Sequence, residues 1–130
     1  MNIAIVVHGD PASCGAPASA LRFAEAVLAR GHRIHRVFFY HGAVALADAL
    51  TVVPQDERDL AAAWAEFGVR ENVELGVCVA AALRRGVLGE ADAARYQRAC
   101  ASLREPFQIV GLGQLIDAAI GADRLVTFAA

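Results

Sequence analysis

A chain of 130 residues is the size of one domain and long enough to bury a core of its own. Hydrophobic residues make up 57% of it and the mean hydropathy is +0.42, but no apolar run approaches the ~20 residues that span a bilayer, so the surplus points to buried strands or a subunit interface. The net charge is −2 with acids and bases interspersed, which excludes the basic footprint of a nucleic-acid or anionic-lipid binder. All twelve basic residues are arginine. Without lysine there is neither a Walker-A phosphate loop nor a lysine Schiff base. Cys14, Cys78 and Cys100 stand far apart with no C-x-x-C pair, as expected of reduced thiols in a cytoplasmic protein.

Taken in order, the chain alternates strand and helix. Asn2 to His8 is apolar almost throughout and lacks a basic leader, so it reads as a buried parallel strand and not as a signal peptide. The loop Gly9 to Pro17 is full of turn formers. A helix is predicted from about Ala18 to Arg30, with Leu21, Ala24 and Leu28 at helical spacing and Gly31 as its stop. Arg33 to Tyr40 is the second strand, rich in aromatic and β-branched residues at Val37-Phe38-Phe39-Tyr40. His41-Gly42 ends it, and Ala43 to Leu50 is predicted to be a short helix. Asp56 is the expected N-cap of the next helix, whose stripe Leu60, Trp64 and Phe67 faces a core or a subunit interface. Val73 to Val77 reads as a strand. A helix is expected over Glu90 to Leu103, placing Cys100 in its packing face. Phe107 to Val110 is a short strand, Gln114 to Ile120 a helix and Asp123 to Phe128 the last strand. This alternation implies a single domain over 1–130: a three-layer α/β/α sandwich on a mostly parallel sheet of four to five strands.

The chemistry collects around Leu75-Gly76-Val77-Cys78-Val79-Ala80, where a strand passes into a helix with Cys78 at the joint. Ligands of open parallel sheets gather beyond the carboxyl ends of the strands. A thiol at a helix N-terminus can have its pKa lowered from ~8.5 into the range ~3.5–7.5, while apolar burial raises it. Cys78 therefore reads either as a reactive thiolate, activated by its helix more than by a neighbouring base, or as a small buried hydrophobe. Topology brings five further candidates toward the same edge: Cys14 in the first loop, Tyr40 and His41 after the second strand, and the pair Arg84 and Arg85. Each has a plainer role, as a loop thiol, strand-end residues and helix C-terminal cations. His8 reads as a satisfied strand-end histidine. His32 and His35, three apart around a strand start, point to opposite faces and make a poor metal pair. Gly111-x-Gly113 lacks the third glycine of a dinucleotide fingerprint.

Phe38-Phe39-Tyr40-His41, Val77-Cys78-Val79-Ala80-Ala81-Ala82 with Arg84-Arg85-Gly86, Gly111-Leu112-Gly113-Gln114-Leu115 and Ala122-Asp123-Arg124-Leu125-Val126 together resemble the DsrE/TusD sulfurtransferases, nearly end to end. Cys14 is not part of that pattern. The resemblance implies an α/β/α fold, a persulfide carried on Cys78, and no metal or organic cofactor. It also implies a cytoplasmic heterohexamer with two related small subunits, an upstream sulfur-carrier protein and a downstream acceptor carrier. Its outlets are 2-thiolation of the tRNA wobble uridine or dissimilatory sulfur oxidation. Two other readings stand beside it: a flavodoxin-like nucleotide or flavin module, and a non-catalytic scaffold subunit of a sulfur-relay complex.

Overall fold

The apolar runs become five strands: β1 (Asn2–Val7), β2 (Arg33–Phe39), β3 (Leu75–Cys78), β4 (Gln108–Val110) and β5 (Arg124–Phe128). The computed structural model describes residues 1–129. The strands form one sheet in the order β4-β3-β2-β1-β5, and every neighbouring pair is parallel. Three central strands are almost fully buried at their carboxyl ends, as strands covered on both faces must be. The sandwich expected from the alternation is the fold found.

The helices are α1 (Ala16–Ala29), α2 (Leu60–Arg70), α3 (Val79–Arg84), α4 (Glu90–Arg95) and α5 (Gly113–Gly121). On one face, Phe39 packs edge-on against Trp64 of α2, and Phe128 packs against Phe23 of α1. The register pairs both Phe39 and Phe128 with Val7, so these rings share that face. The opposite face holds α5 through Asp117, whose carboxylate lies 3.3 Å from Arg36 and 3.6 Å from His35. Two consecutive strand residues normally diverge. Here the β1–β2 register shifts between Ile3 and Ala4, from Ile34 to Arg36, so His35 is the extra residue of a bulge and leans the same way as Arg36.

Several boundaries differ from the sequence reading. The short helix expected over 43–50 is a 3-10 helix and lies earlier, over His41–Ala47. The cap of α2 is Asp59 and not Asp56: the Ala62 N–H donates to Asp59 Oδ1 at 3.0 Å. The predicted helix over 90–103 stops at Arg95, and Leu103 bridges antiparallel to Asp48. Trp64 and Phe67 are 0% and 1% exposed, so their stripe belongs to the chain's own core and not to a subunit interface.

Candidate active site at the carboxyl edge of the sheet

The chain leaves β3 and β4 for opposite faces. From β3 it enters α3, which packs on the 3-10 turn, and that turn packs on α2. From β4 it enters α5, on the Arg36 face. The connections after β3 and β4 thus part to either side of the sheet at its carboxyl edge, where ligands of parallel folds gather. Cys78 ends β3 there, paired with Val110. The backbone of Cys78 turns directly into α3, with Cys78 itself in the N-cap position.

Cys78 lies in apolar surroundings. The thiol is 1% exposed, inside the core cluster with Val77, Ala81 and Ala82. Its side chain makes no capping hydrogen bond, so the first amides of α3 do not hold the sulfur. The accessible thiols of the folded chain are Cys100, which is exposed, and in part Cys14. Cys100 lies in the segment after α4, not in a packed helix.

Tyr40, His41 and His8 meet at the same edge. The Tyr40 and His41 rings stand 4.1 Å apart, and His8 lies 5.1 Å from His41 and 5.8 Å from Tyr40. His41 adopts φ 49, a left-handed conformation held by its surroundings. Gly42 supplies the hold: a Cβ there would fall 2.9 Å from Asp10 Cβ and 3.1 Å from Asp10 N, so only glycine lets this turn press on the first loop. His8 is the member that sequence reasoning missed, since a lone strand-end histidine carries no spacing signal. Cys14 sits at the entry to α1, where its Sγ accepts the Ala16 N–H at 3.3 Å. Gly9 gives that sulfur its room, because a Cβ on Gly9 would fall 2.5 Å from it. Arg84 and Arg85 do not join the cluster. Both are exposed at the far end of α3, and Arg85 Nη1 donates back to the Ala81 carbonyl at 3.4 Å.

His8 has its pKa lowered below the ordinary 6.5, by burial first and by the neighbouring His41 second. The unfolded chain thus takes up this proton before the folded chain does. The stability contributed is full above pH 6.5 and is lost as the pH falls through the lower folded value. The drop in Tm on acidification from about pH 7 to about pH 5 should therefore be shallower for His8→Gln than for the parent chain. Parallel Tm curves would show that the imidazole is not desolvated.

Among the described residues, no group of three or more His, Cys, Asp or Glu side chains is placed to hold a metal ion. Nor is any described helix long and apolar enough to cross a membrane.

The class defined by these features is an all-parallel α/β/α domain with a cysteine where its third strand passes into a helix. The chain matches the DsrE/DsrF-like family over residues 1–128 and belongs to it. It is 52% identical over 128 residues to the sulfurtransferase TusD homolog of Pseudomonas aeruginosa, covering 98% of this chain and 97% of that protein. It is 44% identical over 128 residues to the putative sulfurtransferase DsrE of Allochromatium vinosum, covering 98% of each. The TusD sulfurtransferase of Serratia proteamaculans is also 44% identical, over 98% of this chain and 99% of its own length. The crystal structure of the ychN protein from E. coli superposes with a TM-score of 0.77 over 98% of this chain and 99% of that one. At 22% identity, that likeness is one of fold.

Proposed function

We propose that this chain is a sulfurtransferase that carries sulfane sulfur as a persulfide on Cys78. The observation that carries the reading is the place of Cys78: it is the one cysteine at a strand–helix joint on the carboxyl edge of the sheet, in a chain whose full-length relatives are named sulfurtransferases. Two thiol exchanges suffice. The Cys78 thiolate attacks the outer sulfur of a donor persulfide; the donor's S–S bond breaks, its thiolate leaves, and Cys78 becomes Cys–S–SH. An acceptor thiolate then attacks that outer sulfur, and the Cys78 thiolate departs. The electrons balance without an external oxidant, and the rates follow thiolate fraction and access as in disulfide exchange.

Burial of Cys78 makes access the controlling factor, so donor and acceptor act by opening the site. Tyr40, His41 and His8 stand one and two strands away and line the approach as accessory groups, with His8 held toward its neutral form. Cys14 is a second, accessory thiol in the first loop.

In the cell we place the chain in the cytoplasm, as one subunit of a heterohexamer with two related small subunits. It would take sulfur from one carrier protein and hand it to another. The apolar side chains left outside the core, Ile116, Ile120 and Leu125 at 61%, 81% and 42% exposure, offer a surface for that assembly. The same thiol steps serve tRNA wobble-uridine 2-thiolation and dissimilatory sulfur oxidation, and gene neighbours encoding either set of partners assign the outlet. The direct test supplies a radiolabelled persulfide on a carrier protein, then a second thiol protein. Label should pass through this chain to the acceptor. Label that reaches the acceptor equally well without this chain would refute the reading.

A further inference from the structure

A second feature lies at the other end of α3. A cavity of about 510 Å³ opens beside Leu50, Leu83, Leu88, Tyr96, Arg98 and Cys100. Its inner wall is built firmly. Ser102 is 4% exposed; its hydroxyl donates to the Gly86 carbonyl and accepts the Leu88 N–H at 2.9 Å. The Ser102 N–H in turn donates to the Leu88 carbonyl at 2.8 Å. The floor is apolar, with Leu88 only 8% exposed. Leu50 and Tyr96 form an apolar lip at 63% and 42% exposure.

One arginine, Arg98, lines the cavity, and the stretch of chain around it is cationic. Residues 84–104 carry five of the twelve arginines, Arg84, Arg85, Arg95, Arg98 and Arg104, against two acids, Glu90 and Asp92. Among the described residues, none of these five guanidinium groups lies within 4.0 Å of a carboxylate. A left-handed turn at Gln97, φ 55, folds the lip together. Arg95 lies over the Tyr96 ring at 5.4 Å, and Arg98 donates to the Tyr96 carbonyl at 2.8 Å. Side chains that cost entropy to order are thus already placed.

The geometry points to a docking groove for an acidic, apolar segment of a partner protein. Apolar side chains of that segment fill the cavity, and its carboxylates meet Arg95 and Arg98 at the rim. Arg98 at the cavity and Arg95 over its Tyr96 lip, neither paired with a carboxylate, stand above a leucine floor; that is complementary to such a segment, and the charge favours encounter as well as register. A nucleic-acid backbone would use the arginines but gain nothing from Leu50, Leu83 and Leu88. The groove begins where α3 ends, so a docked segment would sit about 9 Å from Cys78 along the six residues of that helix. The proposal goes beyond the persulfide reading and stands apart from it: the groove can fail while Cys78 still loads sulfur, and the reverse.

Fluorescence anisotropy on the full reduced chain tests it. The probe is a fluorescein-labelled, C-terminally amidated octapeptide of alternating glutamate and leucine. The comparison peptide replaces every glutamate with glutamine. The acidic peptide should bind more tightly, and binding should weaken as salt is raised. Arg95→Gln with Arg98→Gln should weaken it about fivefold or more, two rim charges being lost. Ala99→Trp, which fills the cavity from an exposed position, should weaken it as much with the charge unchanged. Arg22→Gln, exposed on α1, should leave it unchanged. Absence of binding, or equal binding to the parent and to both groove variants, would overturn the proposal. Tighter binding of an oligouridine, lost in the same arginine variants, would overturn it in favour of RNA.

Discussion

Replacing Cys78 with serine should abolish sulfur transfer, a loss on the order of a thousandfold or more, as removal of a catalytic nucleophile does. A serine hydroxyl is not ionised at neutral pH and cannot hold a sulfur that leaves again as a persulfide does. No other cysteine stands at the carboxyl edge beside β3 and β4: Cys14 lies at the start of α1 and Cys100 beyond α4. Cys14→Ser and Cys100→Ser should therefore keep the parent rate within about twofold. Serine at a site 1% exposed buries a hydroxyl, with an expected cost of about 1–3 kcal/mol, so the folded fraction must be measured beside the rate. A folded Cys78→Ser protein that still transfers sulfur at the parent rate would remove Cys78 from the mechanism.

The second large effect is on stability. Trp64 is wholly buried, meets Phe39 edge-on at 5.1 Å and Phe67 at 5.7 Å, and donates its indole N–H to the Pro17 carbonyl at 3.1 Å. It therefore ties α2 to the sheet and to the first turn of α1. Trp64→Ala should cost about 3–5 kcal/mol, from lost burial, an empty cavity and the lost hydrogen bond to the Pro17 carbonyl. That is a large part of the ~5–15 kcal/mol that holds a typical domain. Urea unfolding should show the midpoint falling by the same amount at low and high protein concentration. A loss below about 1 kcal/mol, or one that vanishes on dilution, would instead place Trp64 at an interface.

Much of the fold was legible because buried parallel strands write themselves as apolar runs. Asn2–Val7 and Arg33–Phe39 stand within a residue of their expected bounds. Turn and cap chemistry was legible only in kind. Both Asp56 and Asp59 have the right side chain, and the choice falls to Asp59, three residues before the amide it binds. Residues 96–103 have helical composition but are held otherwise by partners distant in sequence. Ser102 is bound to Gly86 and Leu88, and the Ala49 N–H donates to the Ser102 carbonyl at 2.7 Å. No local pattern reveals such contacts, and they override propensity.

The site was legible in one residue and less so in its neighbours. The strand-to-helix step at Val77-Cys78-Val79 marked the cysteine, and topology alone placed Tyr40 and His41 at the same edge. Burial of the thiol was not legible, since it depends on α3 packing against the 3-10 turn after β2. Neither was His8, whose role rests on two rings brought in from β2. Arg84 and Arg85 fell away because six residues of helix carry them to the opposite end of α3 from the sulfur.

The most direct measurement is where the sulfur goes. The chain is incubated with a persulfide donor, its free thiols and persulfides are blocked with an alkylating reagent after unfolding, and its peptides are weighed with and without prior reduction. The peptide containing Cys78 should gain the mass of one sulfur atom, and reduction before alkylation should remove it. If the added sulfur appears on Cys14 or Cys100 while the Cys78 peptide stays unchanged, the account of Cys78 as the carrier is contradicted.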